Sequence, residues 1–432
     1  MTEMNTYYAR CLEPKARRPL DKDTASDTCI VGGGLAGLTT ALELTRAGRS
    51  VVVLEAESVG FGASGRNGGF VGPAWSQRLD ALVKKVGVDH ATELYKLSQE
   101  GVEIVARNVA SLAMPGIDLA HGKLSAARTP SREAFMRRRD RLRSEFGQSA
   151  EVWETEQVRG VLKTSRYFQA MFYEDDFQIN PLAYARGLAD EIERLGGRVY
   201  EGSRVTKVDR AAGKRIVRTG RGNVTADSVV LASGGYTEAW AQPLHGSYIP
   251  IATYVMLTRA QPELIAQAIQ TSHGVGDQRR AGDYYRLVEG GSRILWGGRI
   301  TTRVGEPRRL GEMLRATMIS TYPQLSELEV EHAWSGLMGY ARHLMPQIRQ
   351  VEEGLWSCSA FGGHGLNTTA IGGKIVAEAI VHDSDRWKLF DPFGFEWNGG
   401  PAGKAAVQAT YWWLQARDAF GEALSREADT GA

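Results

Sequence analysis

The sequence predicts an α/β protein of two domains. One is a discontinuous parallel sheet covered by helices; the other is α+β, with a mainly antiparallel sheet and helices. Three observations predict this. A strand–helix–strand unit with a glycine-rich turn lies near the start. Far along the chain, two more apolar strands run into glycine, returning the polypeptide to the first domain. Between these segments aromatic-rich strands mix with helices, and the strand–helix alternation is lost.

Asp27 to Val31 is apolar and β-branched and runs into glycine, which predicts a short buried strand. Leu35 to Ala47 places Leu38, Ala41, Leu42 and Thr45 at helical spacing, and Gly48 ends the helix. Ser50 to Leu54 is a second buried strand, closed by Glu55. The intervening turn reads Gly32-x-Gly34-x-x-Gly37. Gly32 permits a tight turn, Gly34 the approach of a pyrophosphate, and Gly37 close packing of helix on strand. The helix start at Leu35 and Ala36 offers unpaired N–H groups and partial positive charge to phosphate. Glu55, with Ala56 beside it, stands 18 residues after Gly37 and suits both hydroxyls of an adenosine ribose. A carboxylate there disfavours a 2′-phosphate. The unit predicts dinucleotide binding and by itself leaves FAD and NAD open.

Later segments separate the two. Gly60 to Gly69 comes too soon, and is too rich in glycine, for a crossover helix. It reads as an extended loop whose N–H groups suit phosphate or a flavin edge, with Gly62, Ala63, Ser64, Arg66, Asn67, Gly68 and Gly69 as contacts. Pro181 to Leu195 reads as a helix, and Gly197–Tyr200 and Arg204–Val208 as strands, with Val205 toward the cofactor. Asp227 to Ala232 is a buried strand ending in a second close-approach turn at Ser233 and Gly234. Leu355 to Ala360 leads into the loop Phe361 to Asn367, followed by a helix from about Thr369 to His382 whose N-terminus suits developing negative charge. A nicotinamide dehydrogenase normally completes its cofactor domain in one stretch. This domain is interrupted twice, which favours FAD. Residues 24–75, 166–238 and 345–390 are assigned to this Rossmann-like FAD-binding domain, 76–165 and 239–344 to a substrate domain, and 391–432 to a C-terminal extension with a helix.

Composition narrows the function. The 432 residues carry 52 Lys+Arg against 50 Asp+Glu, a net +2, so no global field draws the chain to nucleic acid. No apolar run approaches the ~20 residues of a membrane span. The charged N-terminus lacks a signal-peptide core, and Arg17-Arg18 is followed by Pro19-Leu20-Asp21-Lys22-Asp23 where an apolar region belongs. Three cysteines fit neither a disulfide framework nor a zinc spacing, so the expected compartment is the cytoplasm and no metal is expected. The 50 glycines, about 12% against a usual ~7%, cluster at the turns just described. Seven arginines between Arg128 and Arg143 are interleaved with acids and read as a solvated helix face.

The pattern resembles the FAD-dependent amine oxidoreductases related to D-amino acid oxidase and sarcosine oxidase, and within them the γ-glutamylputrescine oxidase branch. The likeness is carried by Tyr7-Tyr8-Ala9, Gly32–Gly37, Gly60–Gly69, Asp283–Leu287, Trp296-Gly297-Gly298, Tyr322–Leu325, Met345-Pro346-Gln347 and Gly363-His364-Gly365, in order along nearly the whole chain. It implies oxidation of an amine C–N bond to an imine, then hydrolysis, with O2 or another electron acceptor. It implies that the backbone of Gly363, His364, Gly365, Leu366 and Asn367 faces the flavin. It places Tyr285 and Arg299 toward substrate. His364 reads either as a base or as a structural residue, and Arg342 as a ligand for a substrate carboxylate or for a surface acid. Tyr254 joins Tyr248, Tyr284, Tyr285, Trp296, Trp334 and Tyr340 as aromatics that line a cavity or pack the sheet. Sarcosine oxidases carry a lysine where this chain has Asn367, and another on the sheet, whereas no lysine lies between Tyr284 and Ile300. Sarcosine is therefore disfavoured as substrate. Cys358, in a predicted buried strand, points to noncovalent FAD. The expected substrate is an extended, γ-glutamylputrescine-like amine. The alternatives are a cyclic or N-substituted amino acid such as pipecolate or proline, an NAD-dependent dehydrogenase, or a non-catalytic flavin sensor.

Overall fold

In the computed structural model, which describes residues 4–13, 15–279 and 282–430, two sheets organise the chain. The main run of the first sheet is ordered Gln347–Glu352, Leu355–Ser359, Asn223–Leu231, Thr24–Val31, Val51–Leu54, Arg198–Tyr200. From Leu355–Ser359 to Arg198–Tyr200 every pairing is parallel. The hairpin Val205–Ala211 and Lys214–Thr219 extends Asn223–Leu231, and Gln347–Glu352 adds an antiparallel edge. Neighbours in this sheet thus come from distant stretches of sequence, as the returning strands predicted.

Strand parity explains the unbroken apolar runs. Ile30, Val51 and Val53 face one core, while Cys29, Val31, Val52 and Leu54 face another. Both faces are covered, so alternation is absent. Each such Val or Leu buried contributes roughly 1.5–3 kcal/mol. The helices Leu35–Arg46, Pro181–Arg194 and Gly365–His382 occupy the first face.

The second sheet is ordered Val330–Ala341, Tyr248–Thr258, Arg293–Thr301, Tyr284–Val288, Gly274–Asp277, Ala120–Ala126, Ala170–Gln178, Phe70–Val71. Glu151–Trp153 pairs beside Ala170–Gln178. All its pairings are antiparallel except Gly274–Asp277 with Ala120–Ala126. One face packs Ala252, Tyr254, Met256, Tyr285 and Trp296 against Leu310, Leu314 and Met318 of the helix Leu310–Thr321. The other face looks toward the first domain.

Several segments sit elsewhere than expected. The helices Leu79–Val86 and Val88–Ser111, inside the stretch assigned to the substrate domain, pack on the first core, with Leu94, Leu97, Ile104 and Val105 buried beside Leu366 and Ile371. Conversely Ala170–Gln178 and Phe70–Val71, inside stretches assigned to the FAD-binding domain, belong to the second sheet. Periodicity reports that a face is buried, not which sheet buries it. The last cofactor-side helix begins at Gly365 instead of Thr369. Glycine lowers helix propensity but is tolerated at a helix start.

The arginine run is not simply a solvated face. Arg128 precedes the helix Arg132–Phe146, is 7% exposed, and bridges Asp277, Asp283 and Glu422. Glu422 lies on the C-terminal helix Gly400–Thr430, so this ion cluster anchors that helix to the second sheet. Arg17 is likewise buried, paired with Asp190 and Glu193. Among the described residues no helix is long and apolar enough to cross a membrane.

Candidate cofactor and substrate site

A cavity of about 1960 Å³ runs from the carboxyl ends of the parallel strands to the inner face of the second sheet. At one end lies the turn after Val31. Gly32 has φ +115°, and a Cβ there would sit 2.6 Å from the carbonyl oxygen of Ala232. Only glycine brings these two strand ends so close. Gly37 lies beneath the turn, where a Cβ would meet the Gly32 carbonyl at 2.1 Å, so it packs helix on strand without lining the cavity. No side chain caps the helix Leu35–Arg46; the Leu35 N–H donates to Ser64 Oγ at 3.0 Å.

Glu55 faces the same turn. Its Oε2 accepts from the Gly33 N–H at 2.6 Å and its Oε1 from the Glu57 N–H at 2.9 Å. Burial is the main influence on its carboxyl, pushing the pKa up, and the two N–H donors oppose it. Gly34, Leu35, Ala36, Ala56, Gly62, Ala63, Val205, Ser233 and Gly234 join it on the cavity wall.

The loop from Gly60 to Gly69 is held from within. Arg66 donates from Nε to the Phe61 carbonyl at 2.6 Å and from Nη1 to the Ser335 carbonyl at 3.2 Å. Asn67 donates from Nδ2 to the Ala63 and Ser64 carbonyls and accepts the Gly69 N–H on Oδ1. Arg66, Asn67 and Gly68 line the cavity, whereas Gly69 is turned against Ile179, where a Cβ would meet its carbonyl at 1.9 Å. Tyr8, buried, donates its phenol to the Asn67 carbonyl at 2.8 Å, tying the N-terminal motif to this loop.

The late loop meets the cavity from the opposite side. Gly363, His364, Gly365 and Leu366 line it, with His364 as the exposed residue preceding the helix Gly365–His382, whose N-terminus no side chain caps. Asn367 does not line the cavity: its buried side chain donates to the Ser98 carbonyl at 3.1 Å and the Ala74 carbonyl at 3.4 Å. Ser76 locks the loop, accepting the Gly363 N–H at 2.8 Å and donating to the Phe361 carbonyl at 3.2 Å.

The substrate-side expectations divide. Arg299 and Arg342 line the cavity. Arg299 has φ +55° at a register break between the strands Tyr248–Thr258 and Arg293–Thr301, and its buried Nε has no hydrogen-bond partner. Arg342 is exposed and pairs with no carboxylate among the described residues. Tyr285 and Tyr254 point to the opposite face of the sheet. Tyr285 stacks on Trp296 at 4.4 Å with its phenol 2.5 Å from that of Tyr322, and Tyr254 belongs to the same core. Neither reaches the cavity, because adjacent residues on a strand alternate faces. Tyr284, one residue earlier, does line it, edge-on to Phe70 and against Gly68. Of the other aromatics Tyr340 reaches the wall, while Tyr248, Trp296 and Trp334 are core.

Sequence reasoning placed Tyr284 among the possible cavity aromatics but missed Ser76, Lys123 and Asp176. The last two face the cavity from the strands Ala120–Ala126 and Ala170–Gln178. Asp176 is the last of three consecutive acids in its strand, after the exposed Glu174 and Asp175, so charge alone did not single it out.

The donor set fits an FAD molecule. An uncapped helix start and Ser64 are suited to the pyrophosphate, half-buried Glu55 to the ribose, and a second uncapped helix start, at Gly365, borders the cavity. Such a fold and site define a flavin-dependent oxidoreductase. A family model described as FAD dependent oxidoreductase matches residues 27–379, and the chain belongs to that family. It is 32% identical over 395 residues to the gamma-glutamylputrescine oxidoreductase of Escherichia coli (strain K12), covering 90% of this chain and 92% of that protein. It is 27% identical to a probable oxidoreductase OrdL of Haemophilus influenzae, covering 86% of this chain and 87% of that one. Its fold is similar to the crystal structure of glycine oxidase from Geobacillus kaustophilus, with a TM-score of 0.71 at 21% identity, covering 86% of this chain and 98% of that one.

Proposed function

We propose that this enzyme oxidises the C–N bond of an extended, γ-glutamylated amine. The observation that carries the reading is the 32% identity, across 90% of the chain, with a gamma-glutamylputrescine oxidoreductase. The part of the cavity beyond the cofactor loop, reaching from Tyr284 to Asp176, supports an extended substrate. The chemistry that FAD supplies when bound is two-electron acceptance from the C–H beside nitrogen, leaving an imine that water hydrolyses. This chain's residues position and enclose. The backbone of Gly363 to Leu366 faces the cofactor, and Arg299, with its unpartnered Nε, contributes positive charge beside the substrate. His364 precedes a helix on the exposed rim, which favours its structural role over that of a base. Cys358 is 1% exposed and burial pushes its thiol up to about 12, so it stays protonated and the FAD is held noncovalently.

The test is an anaerobic screen of the flavin absorbance band with γ-glutamylputrescine, putrescine, proline and pipecolate. Bleaching by the γ-glutamylated amine at the lowest concentration is expected. Bleaching by proline or pipecolate alone overturns the reading in favour of an amino-acid substrate. Reoxidation by air or by a quinone then identifies the acceptor.

A further inference from the structure

The far end of the cavity holds a set of charges that the oxidation itself does not use. Asp176 is 4% exposed, and its Oδ2 lies 3.4 Å from Lys123 Nζ. That separation is loose for an ion pair. Asp176 Oδ1 accepts no hydrogen bond among the described residues, and Lys123 has this one acceptor for three donors. Beside them Tyr173 is 6% exposed, and the Arg138 guanidinium is directed at its buried phenol. All four side chains line the cavity. Gly72 completes the wall: a Cβ there would meet Asp176 Oδ2 at 2.2 Å, so the carboxylate occupies space that any larger residue would take.

We propose that this chamber binds the zwitterionic α-amino-acid head of the extended amine, with Asp176 taking the α-ammonium and Lys123, Arg138 and Tyr173 the α-carboxylate. The inference rests on the γ-glutamylated substrate proposed above and assigns the residues that select it. A purely cationic tail would meet Lys123, and a purely anionic one would meet Asp176; a head carrying both charges satisfies both. The spacing agrees. Tyr284, against Gly68 of the cofactor loop, pairs with Gly276, which pairs with Ser125 on the strand that carries Lys123 and borders Tyr173. Three strand spacings make roughly 14 Å, less the reach of the side chains. The linker from the oxidised carbon to a γ-glutamyl α-carbon, eight bonds, spans about 10 Å when extended.

The test uses the FAD-loaded enzyme and the variants Asp176→Asn, Lys123→Met and Tyr173→Phe. Calorimetry with γ-glutamylmethylamide, which has the head but no terminal amine, reads head-group binding alone. Binding to wild type and at least tenfold weaker binding to Asp176→Asn and Lys123→Met are expected, with KM for γ-glutamylputrescine rising at least tenfold and flavin content preserved. Should Asp176→Asn fail to fold, Lys123→Met and Tyr173→Phe decide. Unchanged binding and KM in the folded variants overturn the proposal, as does the absence of binding to wild type. If wild type binds the methylamide, the variants lose it, and γ-glutamylputrescine is not oxidised, the chamber stands and the proposed reaction falls.

Discussion

Replacing Glu55 with Gln tests the cofactor end of the cavity most directly. The carboxylate holds the Gly33 N–H at 2.6 Å and the Glu57 N–H at 2.9 Å, both on one side of the glycine turn. A carboxamide keeps the shape but offers one acceptor oxygen, so one of these N–H groups must face an NH2. Leaving it unsatisfied costs about 1–3 kcal/mol, felt equally with and without cofactor. The separate effect on FAD is the loss of a charge-assisted bond to a ribose hydroxyl, about 1.5–3 kcal/mol, or roughly a 10- to 150-fold rise in Kd. Titrating flavin-free protein with FAD, by quenching of flavin fluorescence, reads the second effect; thermal melting of the flavin-free protein reads the first. The pH profile adds an independent check. Burial pushes the Glu55 carboxyl up, while hydroxyl donors favour its ionised form. Wild-type FAD affinity therefore weakens as pH falls through that raised pKa, and Glu55→Gln removes this dependence. A Kd within twofold of wild type, with the same pH profile, would refute the assignment of Glu55 to the ribose.

Three further outcomes are expected. Tyr285→Phe should lower stability by about 0.5–1.5 kcal/mol through loss of its bond to Tyr322, with kcat/KM within twofold of wild type; a tenfold loss of kcat/KM at full flavin content would place Tyr285 back at the substrate. Acid precipitation of the holoenzyme should leave the FAD in the supernatant, because Cys358 is a buried, protonated thiol; flavin in the pellet contradicts noncovalent binding. Burial and the neighbouring Asp277 push the Asp283 carboxyl up to about 6, above its unfolded value of ~3.9. The folded state keeps this proton between the two values, so the contribution is fully present below the unfolded pKa and is lost as pH rises through about 6. Asp283→Asn removes that component, so its melting temperature should gain on wild type between pH 4 and 6; parallel profiles would count against it.

The cofactor half of the molecule was legible because its constraints are local. Gly32, Gly34 and Gly37 answer to one turn, and Val51 to Leu54 is apolar throughout because both faces of that strand are covered. The glycine loop from Gly60 and the late loop at Gly363 were also visible, since close backbone approach demands glycine wherever it occurs. Legibility failed where a residue's meaning depends on its neighbour in space. Asn367 follows the Gly-His-Gly motif, yet its amide holds the Ser98 and Ala74 carbonyls across from another helix and loop.

The substrate half illustrates why parity outweighs residue type. Tyr284 and Tyr285 are chemically the same and adjacent, but one lines the cavity and the other packs under Leu314 and Met318. What selects between them is the register of Tyr284 with Gly297, where the missing side chain admits the Tyr284 ring on the inner face. The same alternation sends Thr253 inward and Tyr254 outward on the next strand but one. Lys123 and Asp176 become neighbours only because Ala120–Ala126 and Ala170–Gln178 pair antiparallel across a gap of some fifty residues. On the proposed reading, specificity is written on a sheet whose inward residues come from distant strands, while the glycine turns proposed to hold the cofactor stay local. Substrate preference in such a fold can shift through a change on one inward position without disturbing flavin binding, and the Lys123 and Asp176 variants separate the two by measuring both.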